Sequence, residues 1–199
     1  MAAALPLILA SASPRRRDLL ARAGVPFEVH PADIPEEAHP GEAPVAYAQR
    51  LARAKALTVA GRVGRRPRRL VLAADTIVVI DGEVLGKPRD ADDAVRLLTR
   101  LIGRRHRVVT AVALTATDTL EVQCAAVESD VVMRPADAQE VRAYIATGES
   151  LDKAGAYAAQ GEGRRFIERI EGSESNVIGL PLEETLALLR AAGLNGAAP

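Results

Sequence analysis

Residues 70–80 read LVLAADTIVVI, and this apolar run is the strongest strand signal in the chain. Its β-branched residues and its length are typical of a buried strand. Asp81-Gly82 follows directly and favours a tight hairpin turn, so residues 83–85 are predicted to return as a short partner strand. The run therefore predicts a sheet that contains at least one antiparallel pair of strands.

Strands and helices are predicted on both sides of this hairpin. Apolar or alternating runs predict strands at residues 5–10, 27–30, 106–117, 120–133 and 165–170, and the two longest of these are expected to pair antiparallel. Helical spacing predicts helices at residues 14–23, 45–60, 90–102, 135–147 and 181–192. Residues 31–44 and 61–69 are interpreted as surface loops, and the glycine-rich residues 151–163 have no assignment. Because the elements are mixed rather than strictly alternating, we expect an α/β domain with a mixed sheet.

Composition excludes several classes of function. The 199 residues fit one domain. The 26 basic residues balance 26 acidic ones to a net charge of zero, which argues against a general polyanion binder, because such a protein would be clearly basic. Aromatic residues make up only 3%, which leaves few stacking surfaces for single-stranded nucleic acid. One cysteine excludes an intramolecular disulfide. Without a signal-peptide pattern or a membrane-length apolar run, we expect a cytoplasmic protein with no nucleic-acid or membrane partner.

The first candidate site is the start of the helix predicted at residue 14. It reads Ser11-Ala12-Ser13-Pro14-Arg15-Arg16-Arg17, in which Ser13 can cap the helix and proline suits its first position. A helix start carries partial positive charge, so three arginines are unfavourable there without a ligand. A phosphate held by Ser13, Arg15 and Arg16 would reverse that repulsion. The alternative is a solvated basic helix start that binds nothing.

Asp75 interrupts the apolar strand at residues 70–80. An ionised carboxylate is costly in such a run unless it is paired, hydrogen-bonded or bound to a metal. Perturbed carboxylates cluster at functional sites, which favours a catalytic hypothesis for this residue. The alternative is an aspartate at a strand end that pairs with a structural arginine.

Two later segments carry weaker signals. Gly86-Lys87-Pro88 follows the hairpin, which can return the Lys87 ammonium towards Asp75 and a phosphate, although the spacing is not that of a Walker motif. Residues 152–161 read DKAGAYAAQG and place two glycines, a tyrosine and Gln160 in one loop that could shape a base pocket. The alternative for this loop is a plain surface loop.

A cation site is the last candidate. Glu36 and Glu37 lie in the acidic loop, from which Glu36 could ligate a hard cation together with Asp75, although such residues are more often solvated. The three histidines, at positions 30, 39 and 106, show no metal-ligand spacing, so we expect them to be structural or exposed.

Taken in order, these segments resemble the Maf family of nucleoside triphosphate pyrophosphatases. The matching residues are Ser11-Ala12-Ser13-Pro14-Arg15-Arg16, Asp33-Ile34 with Glu36, Arg50-Leu51-Ala52 with Lys55-Ala56, Ala74-Asp75-Thr76, Gly86-Lys87-Pro88, Asp152-Lys153-Ala154-Gly155-Ala156-Tyr157 with Gln160-Gly161, and Asn176-Val177-Ile178-Gly179-Leu180-Pro181-Leu182. The resemblance spans about residues 7–189. Each piece alone is weak, but the ordered set is highly specific.

The resemblance implies a fold, an activity and a set of site residues. It implies one domain over residues 1–199, in which a mixed sheet with flanking helices forms two lobes around a central cleft, related in architecture to inosine-triphosphate pyrophosphatases. It implies hydrolysis of a nucleoside triphosphate with a divalent cation, Mg²⁺ or Mn²⁺, in the cytoplasm, and in many members a homodimer. It assigns Asp75 as the catalytic proton acceptor and ties substrate choice to the positions of Arg15, Thr76 and Gln160. The further polar positions of the cleft are Arg16, Glu36, Lys55 and Lys87.

The resemblance also indicates a substrate. One branch of the family acts on dTTP and UTP and another on 7-methyl-GTP, and the loop at residues 152–161 with Asn176-Val177 is similar to the first branch. Ala158-Ala159 departs from it, because that branch often has Gly-Ile there. The alternatives are a 7-methyl-GTP pyrophosphatase and a nucleotide-binding regulator of cell division and septum formation. The intact Asp75, Lys87 and Arg15 favour an enzyme over the regulator, since a protein that only binds nucleotides need not keep a carboxylate opposite the phosphates.

Overall fold

The computed structural model describes residues 7–194, which contain a seven-stranded mixed sheet. The strands are β1 (Leu7–Leu9), β2 (Phe27–Val29), β3 (Leu70–Ile80), β4 (Glu83–Leu85), β5 (Arg105–Ala116), β6 (Val122–Met133) and β7 (Ile167–Glu171). Their order is β2-β1-β3-β5-β6-β7, and β4 pairs with β3. β1 runs parallel to β2 and β3, whereas β3 with β4 and β6 with β7 are antiparallel. The predicted mixed sheet and its hairpin are confirmed.

Six α-helices are present in the described residues. They are α1 (Pro14–Arg22), α2 (Pro44–Val63), α3 (Ala91–Leu101), α4 (Ala138–Ile145), α5 (Glu174–Ile178) and α6 (Leu182–Ala191). The side chains of Asp90 and Asp137 cap α3 and α4, while α1 and α2 begin with proline. Two 3₁₀ helices are also present: Ala154–Ala156 lies in residues 151–163, which had no sequence assignment, and Gly161–Phe166 begins there and extends into the strand predicted at residues 165–170.

The structure differs from the predicted elements at several places. β1 covers residues 7–9 of the strand predicted at 5–10, and residues 5 and 6 lie outside the described residues. α2 continues to Val63, past the predicted loop start, and ends before Gly64 at φ +78°. β7 begins at Ile167 because the preceding residues form the second 3₁₀ helix. α5 was not predicted, since one helical turn is too short to show a periodicity.

The chain forms two compact units. Among the described residues, the first comprises 7–75, 110–127 and 179–194, and the second comprises 76–109 and 128–178. The first unit buries apolar side chains of β1, α2 and the first half of β3, including those of Leu9, Leu51 and Leu72. The second buries a cluster built around Leu98, Tyr144 and Phe166. Each unit therefore has its own apolar core, and the expected cleft stays a prediction.

β7 lies at one end of the sheet order and is strongly charged. Glu168, Arg169 and Glu171 are exposed on it. Arg105 of β5 pairs with Glu171 at 2.7 Å, and Arg169 pairs with Glu171 at 2.8 Å. No helix within residues 7–194 combines the length and the apolar character needed to cross a membrane.

Candidate active site

A turn that two serines stabilise joins β1 to α1. The Ser13 N–H donates to Ser11 Oγ at 3.2 Å, and Ser13 Oγ accepts the Arg16 N–H at 3.5 Å. The predicted helix cap at Ser13 is thereby confirmed. Pro14 begins the first turn, which contains no acidic residue to offset the partial positive charge of the helix start. This end of α1 is therefore suited to bind an anion such as phosphate.

Arg16 is fixed by two hydrogen bonds within the first unit. Its Nε donates to the Gly179 carbonyl oxygen at 2.8 Å, and its Nη1 donates to Ser11 Oγ at 3.2 Å. Burial lowers the pKa of the Arg16 guanidinium, whereas the negative charge of Asp75 raises it. The Arg15 side chain is half-buried and makes no hydrogen bond or ion pair within residues 7–194. Arg16 is thus held in place near Asp75, while Arg15 is available to a ligand.

Lys55 joins the two candidate carboxylates. It lies on the buried face of α2, and its Nζ is 2.6 Å from Asp75 Oδ1 and 2.5 Å from Glu36 Oε1. Asp75 is only 5% exposed, so the ammonium compensates a charge that the apolar strand could not hold alone. The strand end and the arginine partner of the structural alternative are wrong, because Asp75 lies within β3 and its ion-pair partner is this lysine, and the catalytic role of Asp75 stays a prediction.

The acidic loop before α2 is tied to that helix. Tyr47 Oη donates to the Glu36 carbonyl oxygen at 2.8 Å, and Arg50 Nη2 donates to the Glu37 carbonyl oxygen at 2.8 Å. Arg50 also forms a two-point ion pair with Glu42, which lowers the pKa of Glu42 to about 2. Sequence reasoning assigned no role to Tyr47 or Arg50. The sequence did carry a signal for these contacts. Tyr47 and Arg50 are three residues apart, so they lie on one face of a helix that follows an acidic loop.

Glu36 and Asp75 are the oxygen donors that could hold a divalent cation. Both carboxylates approach the Lys55 ammonium, so they converge on one point. Mg²⁺ is usually bound through one or two carboxylates together with substrate phosphates, and this pair fits that requirement. Across residues 7–194 no group of three or more His, Cys, Asp or Glu side chains could hold a metal.

In the second unit, the two segments with weak sequence signals lie together. The Gly155 N–H donates to the Gly86 carbonyl oxygen at 3.1 Å, next to Lys87. Gly155 has φ +68°, and a Cβ there would lie 3.1 Å from methyl groups of both Val78 and Leu101. Residues 155–159 are buried, so the alternative of a plain surface loop is wrong. The glycine is needed because the loop passes close to the core.

The remaining predicted residues lie in the second unit. Thr76 follows Asp75 in β3 and is half-buried, and Lys87 is exposed. Gln160 is half-buried and directly precedes the second 3₁₀ helix. His106, expected to be structural, is 3% exposed, and its Nε2 lies 2.7 Å from Tyr157 Oη. The hydrogen bond from the Gly155 N–H to the Gly86 carbonyl oxygen brings the segment of Lys87 next to the segment of Gln160.

Comparison with known sequences gives a consistent set of relatives. A family model described as "Maf-like protein" matches residues 6–192. A protein named dTTP/UTP pyrophosphatase from Anaeromyxobacter dehalogenans (strain 2CP-1 / ATCC BAA-258) is 54% identical, with 94% of each chain covered. Proteins of the same name from Geobacter sulfurreducens and Myxococcus xanthus are 51% and 53% identical, each over 94% of this chain and over 96% and 93% of their own lengths.

Solved structures of more distant proteins also align with this chain. A HAM1 protein from Coxiella burnetii aligns with a TM-score of 0.49 at 16% identity, over 94% of this chain and 99% of its own. A nucleoside-triphosphatase / dITP/XTP pyrophosphatase from Mycobacterium abscessus aligns with a TM-score of 0.46 at 16% identity, over 98% of this chain and 99% of its own.

Proposed function

The chain belongs to the family of Maf-like proteins, and from that membership we propose that it hydrolyses dTTP and UTP to the nucleoside monophosphate and pyrophosphate. The names of relatives that match nearly its whole length support this activity. Within the molecule, the observation that carries the proposal is the buried Asp75 carboxylate held 2.6 Å from the Lys55 ammonium. A buried carboxylate fixed beside basic groups suits the activation of a water molecule.

The phosphates bind at the start of α1. Its N–H groups, the Ser13 hydroxyl and the guanidinium groups of Arg15 and Arg16 supply donors and positive charge. Arg16 is held by Gly179 and Ser11, so it is oriented before the substrate arrives. Lys87 adds a further cation for the triphosphate.

Glu36 and Asp75 are the residues that would hold a divalent cation, Mg²⁺ or Mn²⁺. When bound, the cation neutralises charge on the triphosphate and on the leaving pyrophosphate. Lys55 lies between the same two carboxylates and therefore keeps them together when no cation is present.

Asp75 orients a water molecule and accepts its proton. The water oxygen bonds to the α-phosphorus, the bond from that phosphorus to the bridging oxygen breaks, and pyrophosphate leaves. Lys55 fixes the carboxylate through Oδ1, which prevents it from turning away from the attacking water. Because Asp75 also belongs to the proposed cation site, its substitution would remove the proton acceptor and a cation ligand together.

Gln160 reads the base, and Thr76 adds a second polar contact to substrate choice. The amide of Gln160 carries both a donor and an acceptor, which match the carbonyl and imide N–H pattern of uracil and thymine. Cytosine presents an amino group and an acceptor at two of those positions and leaves fixed groups unpaired, at about 1–3 kcal/mol for each buried mismatch. The thymine methyl adds at most about 0.8 kcal/mol, so both dTTP and UTP are accepted.

A nucleotide panel tests the proposal. Pyrophosphate release should be fastest with dTTP and UTP, slower with CTP, ATP, GTP and 7-methyl-GTP, and should require Mg²⁺ or Mn²⁺. Gln160→Ala should narrow the gap between UTP and CTP while keeping hydrolysis. A preference for 7-methyl-GTP would overturn the substrate assignment, and nucleotide binding without any turnover would favour the cell-division regulator. The proposed cytoplasmic location and homodimer are tested by fractionation of cells and by light scattering of the purified protein.

A further inference from the structure

Residues 158–163, which include Gln160, are hydrogen-bonded at both ends to two residues outside this segment, Tyr144 and Glu149. Tyr144 lies at the end of α4 and Glu149 follows in the connection after that helix. Tyr144 Oη accepts the Ala158 N–H at 3.1 Å and lies 3.1 Å from Glu149 Oε1, to which it donates. The backbone two residues before Gln160 is thereby linked to the Glu149 carboxylate.

The same carboxylate holds the backbone after Gln160. Glu149 Oε2 accepts the Glu162 N–H at 3.0 Å, and Glu149 Oε1 accepts the Gly163 N–H at 3.1 Å. These N–H groups belong to the first turn of the 3₁₀ helix Gly161–Phe166, whose preceding residue makes no side-chain cap. Glu149 therefore caps this helix although it lies more than ten residues earlier in the sequence. Gln160 lies between two stretches of backbone that are held by hydrogen bonds, at Ala158 and at Glu162-Gly163.

Two glycines make the close approach possible. A Cβ at Gly161, which has φ +71°, would lie 2.5 Å from Glu149 Oε2. A Cβ at Gly163 would lie 2.6 Å from the Ala158 carbonyl oxygen and 2.8 Å from Tyr144 Oη. Any other residue at either position would displace the groups that hold the segment. Hydrogen bonds and glycines thus define one arrangement of the backbone around Gln160.

We propose that Tyr144 and Glu149 are positioning residues for Gln160 and so determine which base the enzyme accepts. The inference rests on the proposed function and names residues that act through Gln160 rather than on the substrate. Discrimination between uracil and cytosine depends on donors and acceptors at fixed positions, and a displacement of about 1 Å can cost about 100-fold in rate. Loss of the hydrogen bonds of Tyr144 or of Glu149 would leave the Gln160 amide free to turn and to accept either uracil or cytosine.

The Tyr144 ring and its hydroxyl have separable tasks. The ring is fully buried and packs edge-on against Phe166, with centroids 5.4 Å apart. Tyr144→Phe keeps that packing and removes only the hydroxyl that links Ala158 to Glu149. Glu149→Gln keeps the length of the side chain but presents one N–H₂ group where the backbone donors require an acceptor.

The experiment measures kcat/KM for UTP and for CTP in Tyr144→Phe and Glu149→Gln. We expect the ratio of UTP to CTP to fall about tenfold in each variant, with a higher KM for UTP and a kcat within about threefold of wild type. Hydrogen exchange should show faster exchange of the Glu162 and Gly163 amides in Glu149→Gln. Asp137→Asn is the matched control, because Asp137 Oδ1 also caps a helix in the second unit, at the Glu140 N–H, and the variant should retain the ratio.

The outcomes separate this inference from the proposed function. A wild-type protein that hydrolyses no nucleoside triphosphate overturns the function, and the ratio of UTP to CTP dissociation constants, compared between the wild type, Tyr144→Phe and Glu149→Gln, then tests the positioning role. A binding or kinetic ratio that stays unchanged in Tyr144→Phe and Glu149→Gln overturns the positioning role, as does an equal loss in Asp137→Asn.

Discussion

Asp75→Asn is the substitution that tests the catalytic assignment most directly. Asparagine has the same shape and removes only the charge and the basicity of the carboxylate. General-base catalysis contributes about 10²–10⁴-fold to a rate, so kcat should fall by at least about 100-fold. Because the phosphate-binding residues are untouched, nucleotide binding should persist.

The stability of the variant follows from the contacts of Lys55. Removing one partner of a buried ion pair costs about 3–5 kcal/mol when the other charge is left alone. Lys55 keeps Glu36 at 2.5 Å, so the loss should be smaller, about 1–3 kcal/mol. At about 2–4 °C per kcal/mol for a chain of this size, Tm should fall by about 2–12 °C, and the variant should be folded in the assay.

The assay pairs pyrophosphate release from saturating UTP with a thermal melt. Asp93→Asn is the matched control, because the Asp93 side chain is as buried as that of Asp75, at 8% exposure, and is paired with Arg89 and Arg96. This control should lose stability and keep its turnover. A folded Asp75→Asn variant that releases pyrophosphate within about threefold of the wild-type rate would refute the reasoning, since a general base accounts for far more.

Three further outcomes are expected. Exhaustive chelation should stop pyrophosphate release and added Mg²⁺ or Mn²⁺ should restore it, whereas full activity after chelation would contradict a cation requirement. Burial lowers the pKa of His106 to about 4 from its ordinary 6.5, so the unfolded chain binds the proton more readily. The free energy of unfolding should therefore fall by up to about 3 kcal/mol as pH drops from about 6.5 to 4. Urea unfolding of His106→Gln should show a smaller fall over the same pH range, and an equal fall would mean that His106 is not its cause. Gly155→Ala should lower the free energy of unfolding by about 1–3 kcal/mol because of the positive φ and the close contacts at this position. Gly61→Ala is the control, because it lies in an open part of α2, and it should be neutral or stabilising. Equal effects of the two substitutions in urea unfolding would argue against the close approach at Gly155.

Features that depend on local chemistry were predictable. Asp81 and Gly82 adopt φ of +53° and +79°, as their residue types favour in a hairpin turn. Ser13 caps α1 because its hydroxyl reaches an N–H three residues later, which sequence spacing alone indicates. Asp75 was conspicuous because a carboxylate in an apolar strand needs a partner.

The identity of partners could not be predicted in this way. Lys55 and Asp75 are 20 residues apart, and their ion pair depends on how α2 packs on the sheet within the first unit. The turns around Gln160 depend on Glu149 and Tyr144, which no periodicity links to that loop. α5 is capped by the Ser173 hydroxyl, which accepts the Asn176 N–H at 3.2 Å, but the helix has only five residues, too few to show a helical periodicity.

The charged edge of β7 bears on how the protein behaves when it is concentrated. An edge strand exposes N–H and C=O groups to which a strand of another molecule can add, and this is a common start of fibrils. An incoming strand would meet Glu168, Arg169 and Glu171 and would have to strip water from the ion pairs that Arg105 and Arg169 form with Glu171. Alanine at all three exposed positions should leave an uncharged edge strand, and the protein should then form ordered aggregates at concentrations at which the native chain remains dispersed.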